Sequence, residues 1–124
     1  MNDFPDVEAA LVGYFGDLGT CVTVAPPDLD VQIQTKPVIR IERVGGGDNR
    51  FLDTAKISID VFATDRATTY TVAETIRQRL LAFPIALTNC VIDEVATNTG
   101  PMEVPWGDAN VRRRTALYTV YSRR

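Results

Sequence analysis

Histidine is absent from this sequence, so the side chains best equipped for chemistry are carboxylates, arginines and two cysteines. Without imidazole there is no Ser-His-Asp or Cys-His arrangement and no His-bearing zinc site. The closest carboxylate pairs are Asp28 with Asp30 and Asp93 with Glu94. Neighbours on a strand point to opposite faces, which argues against shared acid/base work by Asp93 and Glu94. Asp28 and Asp30 suit weak cation binding, but a turn following Pro26-Pro27 explains them more simply. Cys21 and Cys90 form no CxxC pair, and a cytosolic origin with both thiols reduced is expected. The run Gly45-Gly46-Gly47 fits neither GxGxxG nor the GxxxxGK phosphate loop. These residues yield no catalytic, cofactor-binding or metal-binding set, and no cofactor is implied.

The remaining polar features suit contact better than catalysis. Arg40, Glu42, Lys56 and Asp60 put both charge signs on two adjacent strands. They form either a solvated cross-strand ladder or a subunit interface, or the wall of a channel through which DNA passes without sticking. In Arg112-Arg113-Arg114, alternation places Arg112 and Arg114 on one face and Arg113 on the other. Three arginines are too few for a nucleic-acid footprint in an acidic chain, so pairing with carboxylates is expected, within the fold or across a subunit boundary. Met102, Val104 and Trp106 alternate through a segment interrupted by Pro101 and Pro105. That segment either folds back over the core or docks on a neighbour with Trp106 as anchor.

The elements that must position these residues follow from apolar spacing. The spacing predicts a strand from Val38 to Val44 and another from Ala55 to Ala63, each alternating apolar and polar residues. Between them, Gly45, Gly46, Gly47, Asp48, Asn49 and Arg50 form a mobile loop, read either as a solvated hairpin turn or as a finger that orders against a neighbouring molecule. Arg66 to Phe83 reads as a helix, capped by Thr64 or Asp65, lined by Ala73, Ile76, Leu80 and Phe83 and stopped by Pro84. Ile59 and Ile76 centre these stripes and belong in one core. An N-terminal helix starts near Pro5, with Val7, Leu11, Phe15 and Leu18 on its stripe and Gly19 as its cap. A short strand from Cys21 to Ala25 follows. Val31 to Thr35 reads as loop or irregular edge strand. A strand from Asn89 to Thr97, a loop from Asn98 to Asn110 and a strand from Val111 to Tyr121 complete the chain.

With 124 residues, 45% hydrophobic and 23% charged, the chain is long enough for one domain, residues 1–124, with its own core. Net charge is −3, which gives no global attraction to nucleic acid or an anionic membrane. No apolar run approaches a membrane span, and the acidic N-terminus lacks a signal-peptide plan. The expected fold class is α+β, a single mostly antiparallel or mixed sheet with two helices packed on one face.

The run from Ile57 to Asp65, passing into Thr69 to Leu80, resembles the strand-to-helix core of tailed-phage tail terminator and tail completion proteins. The amphipathic N-terminal helix, the Pro-rich break and the closing arginine-to-tyrosine strand fit the same plan. The resemblance implies a structural virion assembly protein, not an enzyme, made in the host cytoplasm and placed at the head-to-tail interface. Its implied partners are copies of itself in a hexameric ring, the tail tube protein and a head-completion connector protein, with DNA only as passing cargo and no membrane. Two alternatives stay open: a head-completion or stopper subunit, and a small cellular ligand-binding or regulatory domain. The interface candidates are Arg40, Glu42, Lys56, Asp60, Met102, Trp106, Arg112 and Arg114.

Overall fold

Long strands of alternating apolar residues set the architecture. The computed structural model describes residues 6–48, 53–87 and 90–123. In chain order the elements are α1 (Val7–Tyr14), β1 (Thr20–Val22), α2 (Leu29–Gln32), β2 (Val38–Asp48), β3 (Asp53–Ala63), α3 (Arg66–Leu81), β4 (Ile85–Leu87), β5 (Cys90–Glu103) and β6 (Arg112–Arg123). The strands form one six-stranded sheet ordered β1-β2-β3-β6-β5-β4. Every pairing is antiparallel except that of β1 with β2, which is parallel. No described helix is long and apolar enough to cross a membrane.

The expected layer of two helices packed on one sheet face is not what forms. The protein is mostly β, with strands at 48% and helices at 25% of the described residues, and the sheet curls into a half-barrel. The reason lies in glycine- and proline-bearing segments that stay in the ladder. β2 continues past Val44 through Gly45, Gly46 and Gly47, which oppose Lys56, Ala55 and Thr54 after a register shift at Arg43/Gly45. The expected loop residues Gly45 to Asp48 are therefore strand, while Asn49 and Arg50 lie outside the described residues. β5 likewise runs on through Gly100 and Pro101 to Glu103, with register shifts near Asp93, Asn98 and Gly100. Bulges of this kind let an edge strand carry residues that a regular ladder excludes. Only residues 104–110 remain of the loop expected from Asn98. The segment Val31–Thr35 is not an edge strand, because Leu29–Gln32 forms the short helix α2.

The main core joins the apolar stripes of the sheet to those of α1 and α3. Ile39, Ile41, Ala55, Ile57, Ile59, Val61, Ala116, Tyr118 and Val120 meet Ala73, Ile76 and Leu80 of α3, with Val7 and Leu11 of α1 in the same cluster. Ile59 and Ile76 are both buried there. The helix starts follow from their caps. Asp6 accepts from the Ala9 amide at 3.0 Å, and Asp65 accepts from the Thr68 amide at 2.7 Å.

The opposite face is not simply polar. At one end, Val38 and Phe62 point away from the main core and are covered by Leu29, Ile33 and Val111, with Val22 and Trp106 at the margin. This second cluster brings the Pro26-Pro27 segment and the 104–110 loop down onto the sheet. It builds the surroundings of the polar residues singled out by the sequence.

Candidate functional site

Asp60 lies in the middle of β3 on this second face and is only 1% exposed. Register decides its partners. Arg40 of β2 stands directly across from it on one side and Thr115 of β6 on the other. Arg40 donates to Oδ2 through Nε at 2.8 Å and also through a terminal guanidinium nitrogen. Oδ1 accepts from the Thr115 hydroxyl at 2.5 Å and from Arg113 Nε at 3.3 Å. Both carboxylate oxygens are thus occupied by donors, the condition under which a buried charge is tolerated.

Two arginines on one aspartate leave a surplus positive charge, and an aromatic ring takes it up. The Arg40 and Arg113 guanidinium carbons lie 5.7 and 5.3 Å from the Trp106 ring centroid. Phe62 meets the same ring edge-on, with centroids 4.9 Å apart. Trp106 is therefore fastened to the sheet by its own chain. A hollow of about 530 Å³ lies on one side of it, lined by Glu103, Val104, Ala109, Val111 and Arg112 among others. A second, of about 450 Å³, lies between Trp106, Pro26, Pro27, Leu29 and Arg40.

The other candidates are spread over the sheet. Glu42 and Lys56 are exposed, in register with Ser58 and Gly45. Met102 is 51% exposed and paired in register with Thr115. Arg112 pairs with Glu103 at 2.9 Å. Arg114 points to the main-core face. It is 7% exposed, its guanidinium lies 5.3 Å from the Tyr70 ring, and its buried Nε has no hydrogen-bond partner. The structure thus unites Arg40, Asp60 and Trp106 and separates Arg112 and Arg114 from them.

Thr115 and Tyr70 carry no signal in the sequence that marks them, and Arg113 carries only its place in the arginine run. Alternation put Arg113 on the face opposite Arg112 and Arg114, but only the β3–β6 register reveals that this face holds Asp60. Arg43 was also overlooked. It forms a two-pronged pair with buried Asp53 at 2.7 and 2.8 Å, and its amide donates to Glu8 of α1 at 2.8 Å. The Asp53 hydrogen bonds push the Arg43 guanidinium further up. At the far end of α3, Arg79 grips Asp17 at 2.9 and 2.6 Å and holds that carboxyl below its usual range.

The carboxylate pairs do not converge. Asp28 accepts from the Gln32 side chain at 2.9 Å. Asp93 sits at a register shift and pairs with Arg123 at 2.9 Å. Among the described residues no group of acidic or thiol side chains is placed to hold a metal ion. Cys21 and Cys90 are both free, and burial pushes both thiols up.

Most charged side chains of this curled mixed sheet are engaged in intramolecular pairs. The family of phage tail termination proteins matches residues 3–105, and the chain belongs to that family. Its place is therefore the virion, and its role a structural one in the phage tail. A chain of the structure described as "Virion of native gene transfer agent (GTA) particle" shares the fold at TM-score 0.61 and 14% identity, over 94% of this chain and 86% of that one. No curated protein matches.

Proposed function

We propose that this protein ends tail assembly as a ring of identical subunits, hexameric in the family's usual form. The ring occupies the growing end of the tail tube and denies the next tube subunit its edge. Its other surface is then presented to the head-completion protein, and DNA passes through the centre. Membership of the tail termination family carries this reading. The geometry is consistent with it. A wall of sheet held by a core on each face is stiff enough to serve as a gauge, and stopping polymerisation by occlusion needs no catalytic group.

Closed rings require a heterologous contact, in which one patch meets a different patch on the next subunit. Glu42, Lys56 and Met102 are exposed and free for such contacts. Asp60 and Arg40 would contribute through the shape they hold rather than as free charges, since they are spent on each other.

The test is particle assembly with and without the protein. Without it, tail tubes should overrun their normal length and stay detached from heads, and purified protein should restore both properties. Tails of normal length that simply fail to join would point to a head-completion or stopper role instead.

A further inference from the structure

We propose that Arg114 is the receptor for a carboxylate of a second copy of this chain, Glu42 of the partner subunit, and that this pair joins neighbours in the ring. The proposal rests on the ring reading above.

Arg114 is the anomaly among the arginines of the sheet. Arg40 and Arg113 share Asp60, Arg43 holds Asp53, Arg112 holds Glu103 and Arg123 holds Asp93. Arg114 is more buried than any of these, yet it has no ion pair among the described residues, and its Nε is sealed from solvent without an acceptor. The carboxylate best placed for it is Glu103, its cross-strand neighbour on β5. Glu103 instead turns to Arg112. A buried charge without a carboxylate is costly, and in the isolated subunit the Tyr70 ring is its one recorded partner among the described residues.

What the position offers is a prepared hydrogen-bond donor for a carboxylate. The guanidinium carbon lies 5.3 Å from the Tyr70 ring centroid, and Tyr70 is itself 49% exposed, so the charge lies beside an accessible aromatic ring. Arg112, two residues away on the same face, is spent on Glu103, which leaves the Arg114 charge as the one to be met. A carboxylate arriving here would displace little water and find an immobilised donor. That is the setting in which an interfacial charge pair is net favourable.

The donor of that carboxylate must sit on a different flank if the contact is to propagate round a ring. Arg114 lies on β6, an interior strand between β3 and β5, and the sheet edge on the β3 side is formed by β1, β2 and the helices beside them. Several carboxylates there are already engaged: Glu8 by the Arg43 amide, Asp17 by Arg79, Asp28 by Gln32. Among those left, Asp30 lies in a four-residue helix and Asp48 ends its strand. Glu42 stands in a regular part of β2, exposed, opposite Ser58 and without an ion pair among the described residues. Beyond Arg40 no strand covers the outer edge of β2, where Glu8 of α1 takes the Arg43 amide and Glu42 stays exposed.

Full-length Arg114→Met, Glu42→Gln, the combination of both, and the exchanged pair Arg114→Glu with Glu42→Arg test this. Isolated Arg114→Met should melt at or above the wild-type temperature, because no pair is lost in the subunit. Its yield of head-joined tails should fall roughly tenfold or more, Glu42→Gln should do the same, and the combination should be no worse than either single change. The exchanged pair should recover joining that Arg114→Glu alone abolishes. A lowered melting temperature for Arg114→Met, additive losses in the combination, or unchanged joining would each overturn the proposal. Normal joining with slowed DNA passage would transfer the site to phosphate and overturn it as well. Negative-stain images separate the two levels: rings on wild-type tails with full joining in Arg114→Met sink the pair alone, whereas tails without rings sink the ring reading and the pair with it.

Discussion

Asp60 and Arg114 lie in register with adjacent residues across the same two strands, yet the fold treats them oppositely. Asp60 is buried with three donor side chains around it, and Arg114 is buried with an orphaned Nε. The sequence shows both as charged positions in alternating strands and cannot distinguish them, because the difference depends on which residue stands opposite. Tyr118 presents a third kind of buried polar group. Its phenol packs into the main core, and burial pushes its pKa from 10.0 up to about 12. The folded chain then holds this proton more tightly than the unfolded chain does. The associated stability is complete below pH 10 and is lost as pH rises from there toward 12. We expect wild-type stability to fall by about 2–3 kcal/mol more than that of Tyr118→Phe over this window. Denaturant titrations of both proteins at pH 9 and pH 12 measure it, and parallel losses would remove Tyr118 as the cause.

At the scale of elements, strong periodicity was legible and interruptions were not. The β2–β3 pairing, the span of α3 to within two residues and its Asp65 cap all follow from apolar spacing and one capping side chain. The segments that look like turn and loop are where the strands continue. Glycine and proline signal chain reversal in general, but a bulged edge strand uses the same residues without leaving the sheet. Longer strands made the fold mostly β rather than a two-layer sandwich. The two-sided burial of Val38 and Phe62 was hidden for a related reason, since their cover comes from α2 and the 104–110 loop, which have no periodic signal. Gly46 allows this extension. Its φ of 116° is in the left-handed region, and a Cβ there would lie 2.0 Å from the Thr54 carbonyl oxygen. Gly46→Ala should therefore destabilise the protein by about 1–3 kcal/mol, whereas Gly47→Ala, whose Cβ meets nothing within 4 Å, should cost well under that. Equal melting temperatures for the two variants would contradict the strand continuation through the glycines.

At the scale of the whole molecule, one sheet separates two apolar clusters, and β2 and β3 contribute side chains to both. Ile39 and Val61 face the main core, while Val38 and Phe62, one residue along, face the second cluster. Neither cluster can open without loosening the strands that hold the other, so the molecule should unfold as one cooperative unit. Rigidity of this kind suits the ring role proposed above. The single tryptophan makes the idea measurable, because Trp106 reports the second cluster alone, while the far-ultraviolet helix signal comes mainly from α3 on the main core. In denaturant the Trp106 emission and the helix signal should change at the same midpoint. Asp60→Ala should break this agreement. It leaves Arg40 and Arg113 without their shared acceptor, so the 104–110 loop and Trp106 should release at lower denaturant than α3. A wild-type protein in which Trp106 already shifts before the helix melts would mean that the second cluster is an independent flap, and the rigid-gauge account of tail termination would fail with it.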